Sequence, residues 1–147
     1  MKLVFFILAV CIFSFIQAFG FSIFGVKPDL ALAAVISASF FVADIWQGLI
    51  LAALASLVLK FSPGFEKEIL FFFALAAVSV VLSGRLPARH FIGNIFLIAM
   101  ATFVMYLLSA ADLIFSYVFL KELLLNVFFG ILMFETFSFL WQDVIRK

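Results

Sequence analysis

Charged residues are scarce in this sequence: they occupy 12% of its 147 positions, and the formal net charge is only +1. So small a net charge creates no overall field that would attract nucleic acid or an acidic partner. The single cysteine, Cys11, excludes a disulfide within the chain and a metal site built from cysteines. It lies in an apolar run, where we predict a small buried thiol rather than a reactive one.

Residue groupings that carry catalysis or metal binding are also missing from the sequence. His, Cys, Asp and Glu do not cluster at metal-ligand spacing, and neither a glycine-rich phosphate loop nor a Ser/His/Asp set is present. The single histidine, His90, follows Arg89 in a basic loop, which favours a solvated or headgroup-contacting residue over a catalytic base. We therefore predict that the protein is not an enzyme and has no catalytic residue, cofactor or metal.

Apolar residues dominate the composition: they make up 69% of the chain, and 24 residues are Phe. Soluble domains are about half apolar and about a quarter charged. Because a soluble fold of this length has too little interior to bury so much apolar surface, we expect lipid to be the solvent for most of the chain. No hydrophilic segment interrupts it, so residues 1–147 are predicted to form a single integral membrane domain.

Six apolar segments divide the chain. Backbone groups in hydrocarbon must pair within the chain, so these segments are expected to be helices, and no alternating pattern supports a barrel. The predicted fold class is all-α, a compact polytopic bundle of about six short transmembrane helices. We expect turns at Ser62-Pro63-Gly64 and, along the interface, at 112–122. The first segment is interpreted as a retained span rather than a signal peptide. The segments are 3–26, 30–43, 45–59, 69–83, 91–111 and 123–141.

Residues 30–59 pose a geometric problem, because they are almost all apolar and are preceded by Lys27-Pro28-Asp29. One helix of that length would run about 45 Å, too long for a hydrocarbon core of about 30 Å. Two helices of half that length would each be short for it. We predict a helical hairpin of two alanine-faced helices that turns near Asp44–Gln47, with small residues at spacings that allow close helix approach.

Lysine and arginine positions determine the predicted orientation. With six spans and an inner N-terminus, five basic residues are cytoplasmic and four are outside, and all three arginines are among the five. A multi-pass membrane protein with both termini in the cytoplasm is therefore predicted. Five spans, with termini on opposite sides, remain an alternative. The inner set is Lys2, Arg85, Arg89, Arg146 and Lys147, and the outer set is Lys27, Lys60, Lys67 and Lys121.

Polar residues at membrane depth are few. Glu135 lies inside the last segment, where a carboxylate costs several kcal/mol unless it is paired, protonated or hydrated. It is predicted either to contact another helix, a partner or a ligand, or to extend toward the nearby interface. The remaining groups are scattered singly and are predicted to form interhelical hydrogen bonds rather than a substrate site. They are Asn94, Asn126, Gln17, Thr102 and Tyr106.

The motif Lys27-Pro28-Asp29-Leu30, which opens a small-residue-rich helix and is followed by Gly48, resembles the MreD family of rod shape-determining membrane proteins. The chain is similar to that family in length, in its roughly six short apolar segments, and in the aromatic-rich run 128–141. As residues, the matches are Pro28, Asp29, Leu30 and Gly48. Family members usually end the third segment with an aspartate, where this chain has Leu59 and Lys60.

The resemblance implies a non-catalytic scaffold of cell-wall elongation that lies in the bacterial cytoplasmic membrane and binds an MreC-like single-pass protein and other elongation proteins. It also implies that Pro28 directs the chain into the second helix and that Asp29 caps it. The same six-helix architecture is shared by the substrate-binding S components of energy-coupling factor vitamin transporters, which stay the alternative. Sparse polar groups and the lack of a covering loop rich in Trp, Tyr or Asn disfavour that alternative.

Overall fold

A computed structural model describes residues 2–61, 67–86 and 90–141. Over these ranges the chain is all-helical, with six α-helices, one 3-10 turn and no β-strand. The all-α part of the predicted fold class is therefore confirmed. The helices are α1 (Lys2–Ala18), α2 (Leu30–Ser39), α3 (Ile45–Leu59), α4 (Glu68–Ser83), α5 (His90–Ser109) and α6 (Tyr117–Leu140), and the 3-10 turn covers Ala111–Leu113.

Two of these helices are long and apolar enough to cross a membrane, judged by length and composition: α5, over Phe91–Ser109, and α6. The other four are apolar as well but contain only 10–17 residues. At about 1.5 Å per residue they extend for roughly 15–25 Å, less than a hydrocarbon core of about 30 Å. Length therefore separates α5 and α6 from the shorter helices around them.

Helix α2 forms the centre of the bundle. All ten of its residues are buried, and it contacts each of the other five α-helices. Ala31, Ala34 and Ala38 lie on this helix, and small side chains let neighbouring helix backbones approach closely. An alanine-rich helix therefore occupies the centre of the bundle.

Some of the aromatic residues lie inside the bundle. Phe6, Phe41, Phe134 and Phe137 are buried and form a cluster of tilted and edge-to-face rings. Trp141 joins them through a ring-centroid distance of 5.0 Å to Phe6. Such pairs contribute beyond their buried area, so this cluster holds together one end of α1, α2 and α6.

The helical hairpin predicted for residues 30–59 is confirmed, but its turn lies earlier than expected. α2 ends at Ser39 instead of continuing to Ala43, and α3 covers Ile45–Leu59 as predicted. The Ser39 hydroxyl donates to the carbonyl of Ile36 at 2.7 Å, which satisfies a carbonyl in the last helical turn. The turn therefore occupies 40–44, and Gln47 belongs to α3.

The first apolar segment is helical only to Ala18, so the predicted boundary at Val26 is wrong. Gly20 and Gly25 adopt φ values of +79° and +78°, a left-handed geometry that glycine tolerates and that a helix cannot continue through. Ile23 and Val26, on either side of Gly25, exchange backbone hydrogen bonds of 2.9 and 3.0 Å. The chain folds back tightly here and delivers Lys27 and Asp29 to the start of α2.

The predicted interfacial turn at 112–122 is half correct. A 3-10 turn covers Ala111–Leu113, but α6 begins at Tyr117 and not at Leu123. The Ser116 side chain accepts a hydrogen bond from the Phe119 amide at 3.2 Å and so caps the helix start. As a result, Lys121 and Glu122 lie within α6 instead of in a loop.

Some predicted features lie outside the described residues. They are the turn at Ser62-Pro63-Gly64, the side chain of His90 and the basic residues Arg89, Arg146 and Lys147.

Candidate functional site

A cavity of about 600 Å³ lies at one end of the bundle. It is lined by the last turns of α1, α3 and α5 and by the beginnings of α2, α4 and α6. This arrangement requires successive helices to run in alternating directions, so the segments that join them at this end border the same space. Six of its polar lining residues are Gln17, Lys27, Asp29, Glu68, Tyr106 and Glu122.

Asp29 connects the cavity to the central helix. Its carboxylate accepts a hydrogen bond from the Leu32 amide at 3.1 Å, the N-cap contact that the sequence motif predicts. Gln17 binds the same carboxylate through its side chain, and the Gln17 Oε1 atom accepts from the Ala31 amide at 2.8 Å. The start of α2 is therefore held by two side chains, one of them from α1.

Burial changes the acidity of Asp29, which is only 9% exposed and precedes the first residue of α2. Loss of hydration raises its pKa from 3.8 to about 6, and the negative charge of Glu68 acts in the same direction. The hydrogen bonds from Leu32 and Gln17 oppose this change. The Asp29 carboxyl therefore has a higher pKa than an exposed aspartate.

Asp29→Asn is expected to remove a pH dependence of stability. The carboxyl group of Asp29 binds its proton more tightly in the folded protein than in the unfolded chain. Protonation of Asp29 therefore stabilises the fold fully below pH 3.8, and this stabilisation is lost as the pH rises through about 6. Asparagine caps helices as well as aspartate does but does not titrate. Melting temperatures measured by circular dichroism from pH 4 to 8 should fall more steeply in the wild type than in Asp29→Asn. Asp112→Asn, at an exposed site, should show the same change of melting temperature with pH as the wild type. If Asp29→Asn also shows the wild-type change, Asp29 is not the group responsible for it.

Glu122 and Tyr106 meet on another wall of the cavity. The Tyr106 hydroxyl donates a short hydrogen bond to Glu122 Oε2, which links α5 to the second turn of α6. The Tyr106 ring also packs edge-on against Phe119, with centroids 4.9 Å apart. This contact fixes the orientation of the Glu122 carboxylate, which a flexible side chain would not otherwise keep.

A buried polar chain crosses the bundle beside the cavity. The Asp29 backbone amide donates to Asn126 Oδ1 at 2.6 Å, and Asn126 Nδ2 donates to the Thr102 hydroxyl at 3.1 Å. Asn126 and Thr102 are buried. The chain joins the start of α2 to α6 and α5, so interhelical hydrogen bonds are confirmed for these two residues.

Asn94 forms a second interhelical contact, as predicted. It is fully buried on α5, where its Nδ2 donates to the Gly130 carbonyl of α6 at 3.1 Å and its Oδ1 accepts from the Ser37 hydroxyl of α2 at 3.1 Å. Ser37 also lies 3.2 Å from the same carbonyl. Asn94 therefore stabilises the packing of three helices and does not line the cavity.

The motif residue Gly48 lies at a close helix contact. It is buried on α3, and a Cβ atom placed on it would overlap the side chain of Val80 on α4. Glycine is therefore required by the packing of α3 against α4 and not by its backbone torsion angles.

Glu135 is exposed on α6. At about 100° per residue, its side chain leaves the helix opposite to the buried face and so points away from the other described helices. Contact with a partner, contact with a ligand and extension toward the interface stay as predictions. The buried face of α6 consists of Asn126, Gly130, Met133, Phe134 and Phe137.

The structure brings together polar residues from different segments. Gln17, Tyr106 and Glu122 each lie within two turns of a helix end on the cavity side. In an alternating bundle, the ends of odd-numbered helices meet the starts of even-numbered ones, and that rule is the signal that could have placed these residues together. Gln17 and Tyr106 form the predicted hydrogen bonds between helices, with the Ala31 amide and with Glu122, and both also line the cavity.

The side chains that surround the cavity can bind a ligand by charge and hydrogen bonding. Within the described ranges, no group of three or more His, Cys, Asp or Glu residues could hold a metal ion. Comparison of the chain with protein-family models, with curated proteins and with solved structures finds no match.

Proposed function

We propose that this chain is a non-catalytic membrane scaffold of the MreD type, which supports bacterial cell-wall elongation and rod shape by binding an MreC-like single-pass protein and other elongation proteins. The observation that carries the proposal is the position of the Pro28-Asp29 motif. These two residues are buried at the start of the central helix, where Asp29 caps α2 and bonds to Asn126 of α6. The motif thus joins helices that are distant in sequence.

The outer surface is suited to protein and lipid contacts. Val4, Leu8 and Ile12 form an exposed apolar stripe along α1, and Phe128 and Leu132 are exposed on α6. In the proposed arrangement the chain is a multi-pass protein of the cytoplasmic membrane with both termini in the cytoplasm, and these side chains face lipid or partner helices. The cavity then opens on the outer side, because α1 runs outward from the cytoplasm.

The cavity favours a second candidate, a substrate-binding subunit like the S components of energy-coupling factor transporters. Ligand sites are concave, are largely apolar and contain a few convergent polar groups, with volumes of about 300–1,000 Å³. A cavity of about 600 Å³ with carboxylates, an amide and a phenol has this character. Under this alternative the chain would bind a small substrate and associate with an ATPase-driven transport module.

One purification separates the two functions. Tagged protein is extracted from its native membrane in mild detergent, and both its protein partners and its bound small molecules are identified by mass spectrometry. A scaffold should retain a single-pass elongation protein and carry no stoichiometric substrate vitamin. A vitamin released on denaturation, together with co-purifying ATPase subunits, would replace the scaffold proposal by the transporter alternative.

Glu135→Gln is expected to weaken partner binding without affecting the fold. A carboxylate on the lipid-facing side of a helix costs roughly 2.5–3.5 kcal/mol unless it finds a partner, and Glu135 is exposed on α6. Removing the charge should leave the melting temperature at or slightly above that of the wild type and reduce recovery of the partner several-fold. Asp112→Asn removes an exposed acid outside the α-helices and should leave recovery unchanged. Equal partner recovery in wild type and Glu135→Gln would show that Glu135 only extends toward the interface.

A further inference from the structure

The cavity at the end of the bundle has an excess of negative charge. Among the described residues, its lining contains the carboxyl groups of Asp29, Glu68 and Glu122 and a single cation, Lys27, which gives these four groups a formal charge of −2 when all are ionised. Lys27 is exposed, whereas Asp29 is buried and Glu122 is partly buried. The negative groups are therefore less hydrated than the positive one, and their charges are less screened by water.

The carboxylates lie close enough to influence one another. Asp29 experiences the charge of Glu68, and Glu122 experiences the charge of Asp29. Bringing like charges together in a poorly hydrated space is unfavourable, so a positive ligand group that approaches them would relieve this repulsion. The acids do not lie close enough to form a metal site among the described residues, so a larger cation than a single metal ion fits the arrangement better.

The hydrogen-bonding capacity of the cavity also favours a donor. An ionised carboxylate can accept about four hydrogen bonds. Asp29 accepts from the Leu32 amide and from Gln17, and Glu122 accepts from Tyr106. Both carboxylates retain acceptor capacity, and the Tyr106 hydroxyl is already used as a donor. A ligand that brings its own N–H donors would complement both groups.

The rest of the lining is apolar. Leu59, Met105 and Leu113 contribute to the walls, and they can contact a hydrocarbon or aromatic portion of a ligand. The volume of about 600 Å³ accommodates a molecule much larger than ammonium itself. The negative charge of the cavity, its spare hydrogen-bond acceptors and its apolar walls together favour a cationic ligand that has N–H donors and an apolar portion.

We propose that the cavity binds a small amphiphilic ammonium compound, with its positive group between Asp29 and Glu122 and its apolar portion against Leu59, Met105 and Leu113. This site goes beyond the scaffold function and does not depend on it. Under the transporter alternative, it would define the substrate as a cationic amine.

Phenethylamine provides the test, because 2-phenylethanol and phenylacetate are its neutral and anionic counterparts of similar size. Binding to the purified full-length chain in detergent is measured by calorimetry and by the shift in melting temperature. Phenethylamine should bind saturably and raise the melting temperature, whereas the alcohol and the acid should not. Equal shifts with phenethylamine and phenylethanol would show non-specific partitioning and would overturn the proposal, as would no saturable phenethylamine binding.

Two substitutions locate the binding site. Glu122→Gln and Asp29→Asn each remove one carboxylate and should weaken phenethylamine binding about tenfold or more, whereas Asp44→Asn, at an exposed position outside the cavity lining, should bind like the wild type. Wild-type affinity in both cavity variants would overturn the proposed location. If a variant does not fold, the comparison of the three ligands on the wild-type protein still decides the charge preference.

An ammonium group can come from a free amine or from the headgroup of phosphatidylethanolamine. Phenethylamine binding is therefore repeated in nanodiscs of phosphatidylglycerol with and without phosphatidylethanolamine. Weaker binding in the presence of phosphatidylethanolamine would identify the lipid headgroup as a competing source, and equal binding would identify a free amine. The ammonium site is tested by amine binding, and the scaffold proposal is tested by co-purification of a protein partner. Either proposal can therefore fail without the other.

Discussion

Asn126→Leu is expected to destabilise the bundle by about 2 kcal/mol or more. The change removes the acceptor for the Asp29 amide at 2.6 Å and the donor to the Thr102 hydroxyl at 3.1 Å, and all three residues are buried. A buried polar group left without a partner costs about 1–3 kcal/mol. The backbone amide contributes most, because interhelical side-chain hydrogen bonds within membranes average only about 0.6 kcal/mol.

Thermal unfolding in a fixed detergent, followed by circular dichroism, measures this effect. Thr102→Val removes one of the two groups that Asn126→Leu leaves unpaired, so the double variant should be less destabilised than the sum of the single variants. Thr102→Val alone should have the smaller effect. A melting temperature of Asn126→Leu within error of the wild type would show that the polar chain across α2, α5 and α6 does not stabilise the fold.

Gly48→Ala is expected to destabilise the packing of α3 against α4 by about 1–3 kcal/mol, the usual cost of overfilling a core. The new methyl group would overlap Val80, whose branched side chain has few alternative rotamers in a helix. Val80→Ala should restore much of the lost stability when combined with Gly48→Ala, although alone it leaves a cavity. The same unfolding assay measures both variants.

Two other glycines act as controls for Gly48. At Gly84 a Cβ would lie 3.7 Å from the nearest atom, an ordinary contact, so Gly84→Ala should have little effect. At Gly130 the overlap involves the terminal carbon of Ile98, which can rotate away, so Gly130→Ala should be intermediate. Equal melting temperatures for the Gly48 and Gly84 variants would contradict the close contact between α3 and α4.

Helix existence and type could be predicted from the sequence with little ambiguity. Continuous apolar runs that contain no alternation form helices, and polar or glycine-containing breaks separate them. The bounds of α3 were predicted correctly, and that of α4 differed by one residue. The large errors in helix bounds occurred where the sequence stays apolar but the backbone leaves the helical conformation. This happens after Ala18, where Gly20 and Gly25 take positive φ values. Composition does not report such torsion angles.

The candidate site was harder to predict. Asp29 was identified as a helix cap from its motif, because an N-cap depends on neighbouring residues. Its contact with Asn126 joins positions 97 residues apart, and no local pattern specifies such a pair. The contact between Tyr106 and Glu122 illustrates the same limit. The two residues lie in different segments of the sequence, and neither segment indicates that their side chains meet.

The sequence by itself determined the building blocks of this protein: few charges, many apolar residues and six helical segments with a capped second helix. Only the tertiary structure decided that α2 lies at the centre, that Glu135 points away from the core, and that polar groups from different helices border one cavity. The physical reason is that hydrophobicity and backbone hydrogen bonding act locally along the chain. Burial, charge proximity and cavity shape depend on which helices become neighbours.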